Sequence, residues 1–104
     1  MQLKDKTVLI TGGASGIGKI MSRLMLERSA KVIIWDINPK GIEETISEFT
    51  HLGVIKGYTV DVSDLEQIQK TAKKVKEDFG SIDVLINNAG IIVGNTFMSI
   101  LPTM

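Results

Sequence analysis

With 104 residues, 12 basic and 12 acidic side chains and no cysteine, the chain suits one small domain over 1–104 and carries no electrostatic bias toward nucleic acid or an anionic membrane. The missing cysteines exclude disulfides, thiolate catalysis and thiolate zinc sites, and the single histidine, His51, cannot build a histidine-rich metal site. The opening Met1-Gln2-Leu3-Lys4-Asp5-Lys6 lacks the apolar core of a signal peptide and no apolar run reaches membrane length, so a cytoplasmic chain without a membrane partner is expected.

Short β-rich runs alternate with longer helical patterns. Thr7-Val8-Leu9-Ile10 is continuously apolar, as a strand covered on both faces requires. It enters the glycine loop Thr11-Gly12-Gly13-Ala14-Ser15-Gly16-Ile17-Gly18. Ile17, Ile20, Met21, Leu24 and Met25 then recur at helical spacing and predict a packed helix face. Lys31 to Trp35 is the second strand, ending at Asp36. Asn38-Pro39 opens the next helix, with Asn as cap and Pro at its first position, and Ile42, Thr45, Ile46 and Phe49 form its inner face. His51-Leu52-Gly53 breaks it, leaving His51 exposed beside a turn.

Val54 to Val60 reads as a third strand, weakened by Gly57. Ser63-Asp64-Leu65-Glu66 has the form of a capping box, with Ser63 as cap. The helix it starts buries Leu65, Ile68, Ala72, Val75 and Phe79 and stops at Gly80. Ile82 to Ile86 is a fourth strand, leading into Asn87-Asn88-Ala89-Gly90. The tail after Phe97 is apolar, with a helix expected before Pro102. Trp35 is expected to pack on the sheet or flank a ligand pocket, and Met21 and Met25 to pack on a helix face.

This β-α-β-α-β-α-β order predicts an α/β chain: a Rossmann-type doubly wound parallel sheet, truncated after about four strands, with right-handed crossovers and helices on both faces. Ligands of such sheets bind beyond the C-terminal strand ends, where strand order reverses. The glycine loop, Asp36, Asp61 and Asn87 each follow a strand, so they converge on one edge.

A glycine loop between a strand and a helix lets backbone N–H groups approach phosphate oxygens, and the helix N-terminus adds partial positive charge. Gly13 to Lys19 also fits most of the ATP-type loop G-x-x-x-x-G-K-[ST]. That pattern fails at Ile20, where a magnesium-binding hydroxyl belongs. Asp36 lies 24 residues after Gly12. An acidic group there can accept hydrogen bonds from both adenosine ribose hydroxyls and repel a 2′-phosphate. No arginine stands beside it, which favours NAD over NADP.

These residues resemble the classical short-chain dehydrogenases/reductases. Thr11, Gly12, Gly16 and Gly18 match the family's T-G-x-x-x-G-x-G. Asp61-Val62 matches its acidic pair after the third strand, implying contact with adenine. Asn87-Asn88-Ala89-Gly90 matches its N-N-A-G, implying a role in steadying the sheet centre and bordering the nicotinamide-side ribose. Ser15 and Ile17 in the loop and Ile37 beside Asp36 complete the expected cofactor contacts. Ser29 stands where the family often has glycine. The resemblance implies an oxidoreductase that transfers hydride between NAD(H) and a small alcohol or ketone.

The family's catalysis uses a serine and a Y-x-x-x-K pair. The single tyrosine, Tyr58, is followed four residues later by Val62, and Ser99 stands too close behind Asn87-Asn88-Ala89-Gly90. No catalytic residue and no metal ligand is therefore assigned. Ile82 to Ile86 would form an open apolar edge, which invites pairing or aggregation. The expectation is a cofactor-binding half of a longer enzyme, or a chain stabilised by a partner. Homo-oligomerisation is left open. Two rival readings are a non-catalytic nucleotide-binding or interaction module and, less favoured, a phosphate-loop NTPase.

Overall fold

Eight elements appear in a computed structural model, which describes residues 2–89. They are β1 (Thr7–Thr11), α1 (Gly16–Glu27), β2 (Lys31–Asp36), α2 (Pro39–Phe49), a short 3-10 turn (Thr50–Leu52), β3 (Ile55–Thr59), α3 (Leu65–Phe79) and β4 (Val84–Asn87). The expected fourth strand thus lies slightly later in the chain. Gly90, Ser99 and the expected tail helix lie outside the described residues.

The four strands form one parallel sheet in the order β3-β2-β1-β4. Successive side chains point to opposite faces. On one face Val8, Ile10, Val32 and Ile34 pack with Leu26, Ile42 and Phe49 of α1 and α2. On the other, Leu9, Ile33 and Trp35 pack with Ile68, Ala72 and Val75 of α3. Such two-sided cover explains why β1 and β2 read as unbroken apolar runs. Asp83 ties the start of β1 to β4: its carboxylate accepts from the Thr7 N–H at 2.8 Å, and its own N–H donates to the Thr7 carbonyl at 2.9 Å.

Three sequence expectations change. The inner face of α1 is Gly18, Ser22 and Leu26, whereas Ile17, Ile20 and Leu24 are 69%, 60% and 42% exposed. Close approach of the helix to the sheet decides this. A Cβ on Gly18 would sit 1.9 Å from the Gly12 carbonyl oxygen, so small residues turn inward and the larger ones turn out. Ser22 fills the inner position with its hydroxyl donating to the Gly18 carbonyl at 2.9 Å. The cap of α3 is Asp64, not Ser63: its carboxylate accepts from the N–H groups of Glu66 and Gln67. No reciprocal box closes on Asp64, because Gln67 Oε1 accepts from the Asp61 N–H and the Asp64 N–H donates to the Asp61 carbonyl, and Leu65 falls on the exposed side. Gly57, finally, makes room for α2. A Cβ there would lie 2.2 Å from Ile42 Cγ2.

Candidate functional site: a cleft at the strand ends

Register brings the C-terminal strand ends level. Thr11 of β1 sits opposite Trp35 of β2 and Asn87 of β4, and Asp36 sits opposite Thr59 of β3. The chain runs β1, β2, β3 in one direction and then crosses back to place β4 on the other side of β1. The loops after β1 and β4 therefore flank the point where strand order reverses.

Thr11 knots these two loops together. Its buried hydroxyl donates to Asn87 Oδ1 at 2.9 Å and accepts from the N–H groups of Asn88 at 2.9 Å and Ala89 at 3.1 Å. A hydroxyl can serve as one donor and two acceptors, and here all three are engaged. In the sequence Thr11 stands out only as the first position of the glycine-loop motif. Its signal was a hydroxyl residue ending a wholly apolar strand.

The glycine loop then departs. Gly12 and Gly16 have φ of +66° and +54°, a left-handed backbone that favours glycine. A Cβ on Gly16 would meet nothing within 4 Å, so this part of the loop is open to a ligand. Gly16 also begins α1, whose first N–H groups lack helical partners and favour an anion. Ser15 is its N-cap residue, without a capping hydrogen bond from its side chain.

Asp36 is bound to the loop it faces. One carboxylate oxygen accepts from the Ala14 N–H at 3.0 Å, and the other accepts from the Asn38 N–H at 3.0 Å. Each oxygen has a second lone pair for a ligand hydroxyl. The loop contact was not anticipated, because sequence spacing does not show that strand β2 ends beside Ala14.

Gly12, Ser15, Trp35, Asp36, Ile37, Val60, Val62, Asn88 and Ala89 line one cleft of about 280 Å³. Seven of these nine were expected as cofactor contacts; Trp35 was expected as packing or a pocket wall, and Val60 was missed because it closes a strand. Trp35 is fully buried and Ile37 is exposed. Asp61 lies between the two valines without lining the cleft itself. Its Oδ1 accepts from the Ser63 hydroxyl at 2.6 Å and from the Ser63 N–H at 2.9 Å. Those two donors, the hydroxyl foremost, hold its carboxyl below the usual carboxylate range. Gly16, Ile17 and Gly18 stand at the head of α1 rather than in the cleft wall, and Asn87 is turned to Thr11.

Tyr58 is engaged elsewhere. Its hydroxyl donates to Asp78 Oδ2 at 2.6 Å, and Lys56 Nζ pairs with the same oxygen at 2.9 Å. Lys19, which the ATP-type pattern would aim at phosphate, reaches Glu48 of α2 at 2.6 Å and lies over the Phe49 ring.

The short chain dehydrogenase family profile matches residues 6–103. The chain belongs to this family. Mouse estradiol 17-beta-dehydrogenase 11 is 43% identical over 86 residues, covering 82% of this chain and 29% of the relative. The 3-oxoacyl-(acyl-carrier-protein) reductase FabG of Thermotoga maritima is 42% identical over 92 residues, covering 88% and 37%. This short chain dehydrogenase chain thus spans about a third of the length of these relatives.

Among solved structures, an NAD+-bound xylitol dehydrogenase superposes with a TM-score of 0.82 at 28% identity, over 88% of this chain and 35% of that one. A Pseudomonas aeruginosa RhlG/NADP active-site complex gives 0.81 at 28% identity, over 86% and 36%. The Rossmann-type sheet is therefore that of the family, and the family's known members include both NAD+- and NADP-bound proteins. Among the described residues, no helix is long and apolar enough to cross a membrane.

Proposed function

We propose that the chain is the NAD-binding half of a short-chain dehydrogenase/reductase, in a protein that transfers hydride between NAD(H) and a small alcohol or ketone. The observation that carries this reading is the single cleft at the strand ends. There the glycine loop, Asp36, Ile37, Val60, Val62, Asn88 and Ala89 meet, although they come from four loops far apart in sequence.

Each part has a role that its chemistry suits. The open backbone at Gly16 and the start of α1 would hold the pyrophosphate, with Ser15, Ile17 and Gly18 around it. Asp36 would accept the ribose hydroxyls, Ile37 and Val62 would border the adenine, and Asp61 would accept from the adenine amine. Asn87, Asn88, Ala89 and Gly90 would border the nicotinamide-side ribose. When bound, the nicotinamide supplies the hydride acceptor or donor. This chain's own residues bind and orient it, and none among the described residues is assigned the proton transfer. Since the family holds both dinucleotides, the preference for NAD rests on Asp36, whose charge would face a 2′-phosphate.

Titration of the chain with NAD and NADP by calorimetry tests the reading. NAD should bind more tightly. Asp36→Ala should weaken NAD binding about tenfold or more, the value of one or two hydrogen bonds to a charged group, and narrow the gap to NADP. Equal binding of NAD and NADP by the unaltered chain would remove the role given to Asp36.

The second reading is a non-catalytic nucleotide-binding or interaction module. Its support is Tyr58, engaged by Asp78 rather than placed at the cleft. NAD binding without turnover favours it for this chain, and measurable dehydrogenase activity sinks it. The NTPase alternative loses its phosphate lysine to Glu48 and its magnesium ligand to Ile20.

A further inference from the structure

We propose that Ser63 is a positioning residue for dinucleotide recognition: it fixes the Asp61 carboxylate so that Oδ2 meets the adenine amine. The proposal rests on the reading of Asp61 as the adenine acceptor and adds the residue that makes it selective.

The sequence pattern assigns Ser63 to capping α3, but Asp64 does that work. The Asp64 carboxylate takes the Glu66 and Gln67 N–H groups at 3.0 and 3.3 Å. Ser63 is thereby released, and both its hydroxyl and its N–H donate to Asp61 Oδ1. The hydrogen bonds described for this carboxylate fall on Oδ1, which leaves Oδ2 for a ligand. Two donors on one oxygen set the carboxylate's rotation as one would not.

The Asp61 backbone is fixed as well. Its N–H donates to Gln67 Oε1 at 2.9 Å, while Gln67 Nε2 donates to Asp64 Oδ2 at 3.0 Å. Its carbonyl accepts from the Asp64 N–H at 3.0 Å. The first turn of α3 therefore holds the Asp61 main chain, and Ser63 aims its side chain. Val60 and Val62, its neighbours in the chain, line the cleft, so Asp61 is held in the segment that forms the wall adenine would cover.

A fixed carboxylate discriminates by donor chemistry. Adenine carries an amino group at C6, which donates to it. Hypoxanthine carries a carbonyl there, which presents a lone pair to a negative charge and leaves both without a donor. A carboxylate free to rotate would turn away from the carbonyl and lose that discrimination.

The test compares NAD with nicotinamide hypoxanthine dinucleotide, both titrated into the 104-residue chain and its variants. The unaltered chain should favour NAD about tenfold, the value of a hydrogen bond to a charged group. Ser63→Ala should lower that ratio to about threefold or less, mainly by weakening NAD, and Ser63→Thr should restore it. Because Asp64 keeps the helix cap, the melting temperature of Ser63→Ala should stay within about 2 °C of the unaltered chain. Asp61→Ala should abolish the discrimination. If Asp61→Ala abolishes it and Ser63→Ala does not, Ser63 has no positioning role while the adenine reading stands. If the unaltered chain binds the two dinucleotides equally, or binds neither, the adenine reading falls and the role of Ser63 falls with it.

Discussion

Ser29 shows how one side chain can stand against the backbone that its position requires. It follows α1 with φ of +66°. Its N–H donates to the Leu26 carbonyl at 2.9 Å, and the Ala30 N–H donates to the Met25 carbonyl at 3.1 Å. This is the paired 5→2 and 6→1 closure of a helix C-terminus, in which glycine is the preferred occupant. Its carbonyl also accepts from the Asp5 N–H, so the turn cannot relax without disturbing the approach to β1. A left-handed conformation costs a residue with a Cβ about 1 kcal/mol. Ser29→Gly should therefore raise stability by up to about 0.5 kcal/mol, the relief being partly offset by the greater freedom of an unfolded glycine. Urea denaturation measures it, and a loss of stability would mean that the Ser29 side chain does more than occupy the turn.

At the scale of elements, β3 and α3 are joined at the open side of the sheet by Lys56, Tyr58 and Asp78. Burial foremost, then the hydrogen bond and the charge of Asp78, push the Tyr58 hydroxyl above its ordinary range. The Tyr58 hydroxyl and Lys56 in turn hold the Asp78 carboxyl below the usual carboxylate range. The signs follow by linkage. Asp78 contributes stability above its unfolded value near 4, which is lost as pH falls through its lower folded value. Tyr58 contributes stability below its unfolded value near 10, which is lost as pH climbs through its higher folded value. Asp78→Asn should flatten the acid limb of the stability profile and Tyr58→Phe the alkaline limb. Unchanged limbs in both variants would show that the tie carries no free energy. Element order was readable because β1 and β2, covered on both faces, carry unbroken apolar runs. The rotation of α1 was not: hydrophobic spacing placed Ile17, Ile20 and Leu24 inside, but clearance at Gly18 decides which face approaches the sheet. The cap of α3 is hidden from the sequence for a related reason. Ser63 and Asp64 both suit a cap, and only the competing demand of Asp61 separates them.

For the whole molecule, the cleft exists only when the sheet does. Gly12 and Asn88 are brought together by the β1–β4 pairing, Asp36 and Ala14 by the placement of β2 beside β1, and Val62 by β3. An unfolded chain has none of these pairs, so a dinucleotide held in the proposed way would bind only the folded form and stabilise it by mass action. At a concentration a hundredfold above Kd this adds about 2.7 kcal/mol. In a domain of about 100 residues, that corresponds to a rise in Tm of roughly 10–20 °C. Of the residues lining the cleft, Asp36, Ile37 and Val62 are those proposed for the adenosine, Gly12 and Ser15 belong to the pyrophosphate loop, and Asn88 and Ala89 are proposed for the second ribose, which ADP-ribose also carries. ADP-ribose, which lacks only the nicotinamide, should therefore give most of the rise that NAD gives when each is present at the same concentration. Asp36→Ala should reduce the rise for both. A thermal scan with each ligand decides it. Stabilisation by NAD without stabilisation by ADP-ribose would move the main contacts away from this cleft and toward the nicotinamide side.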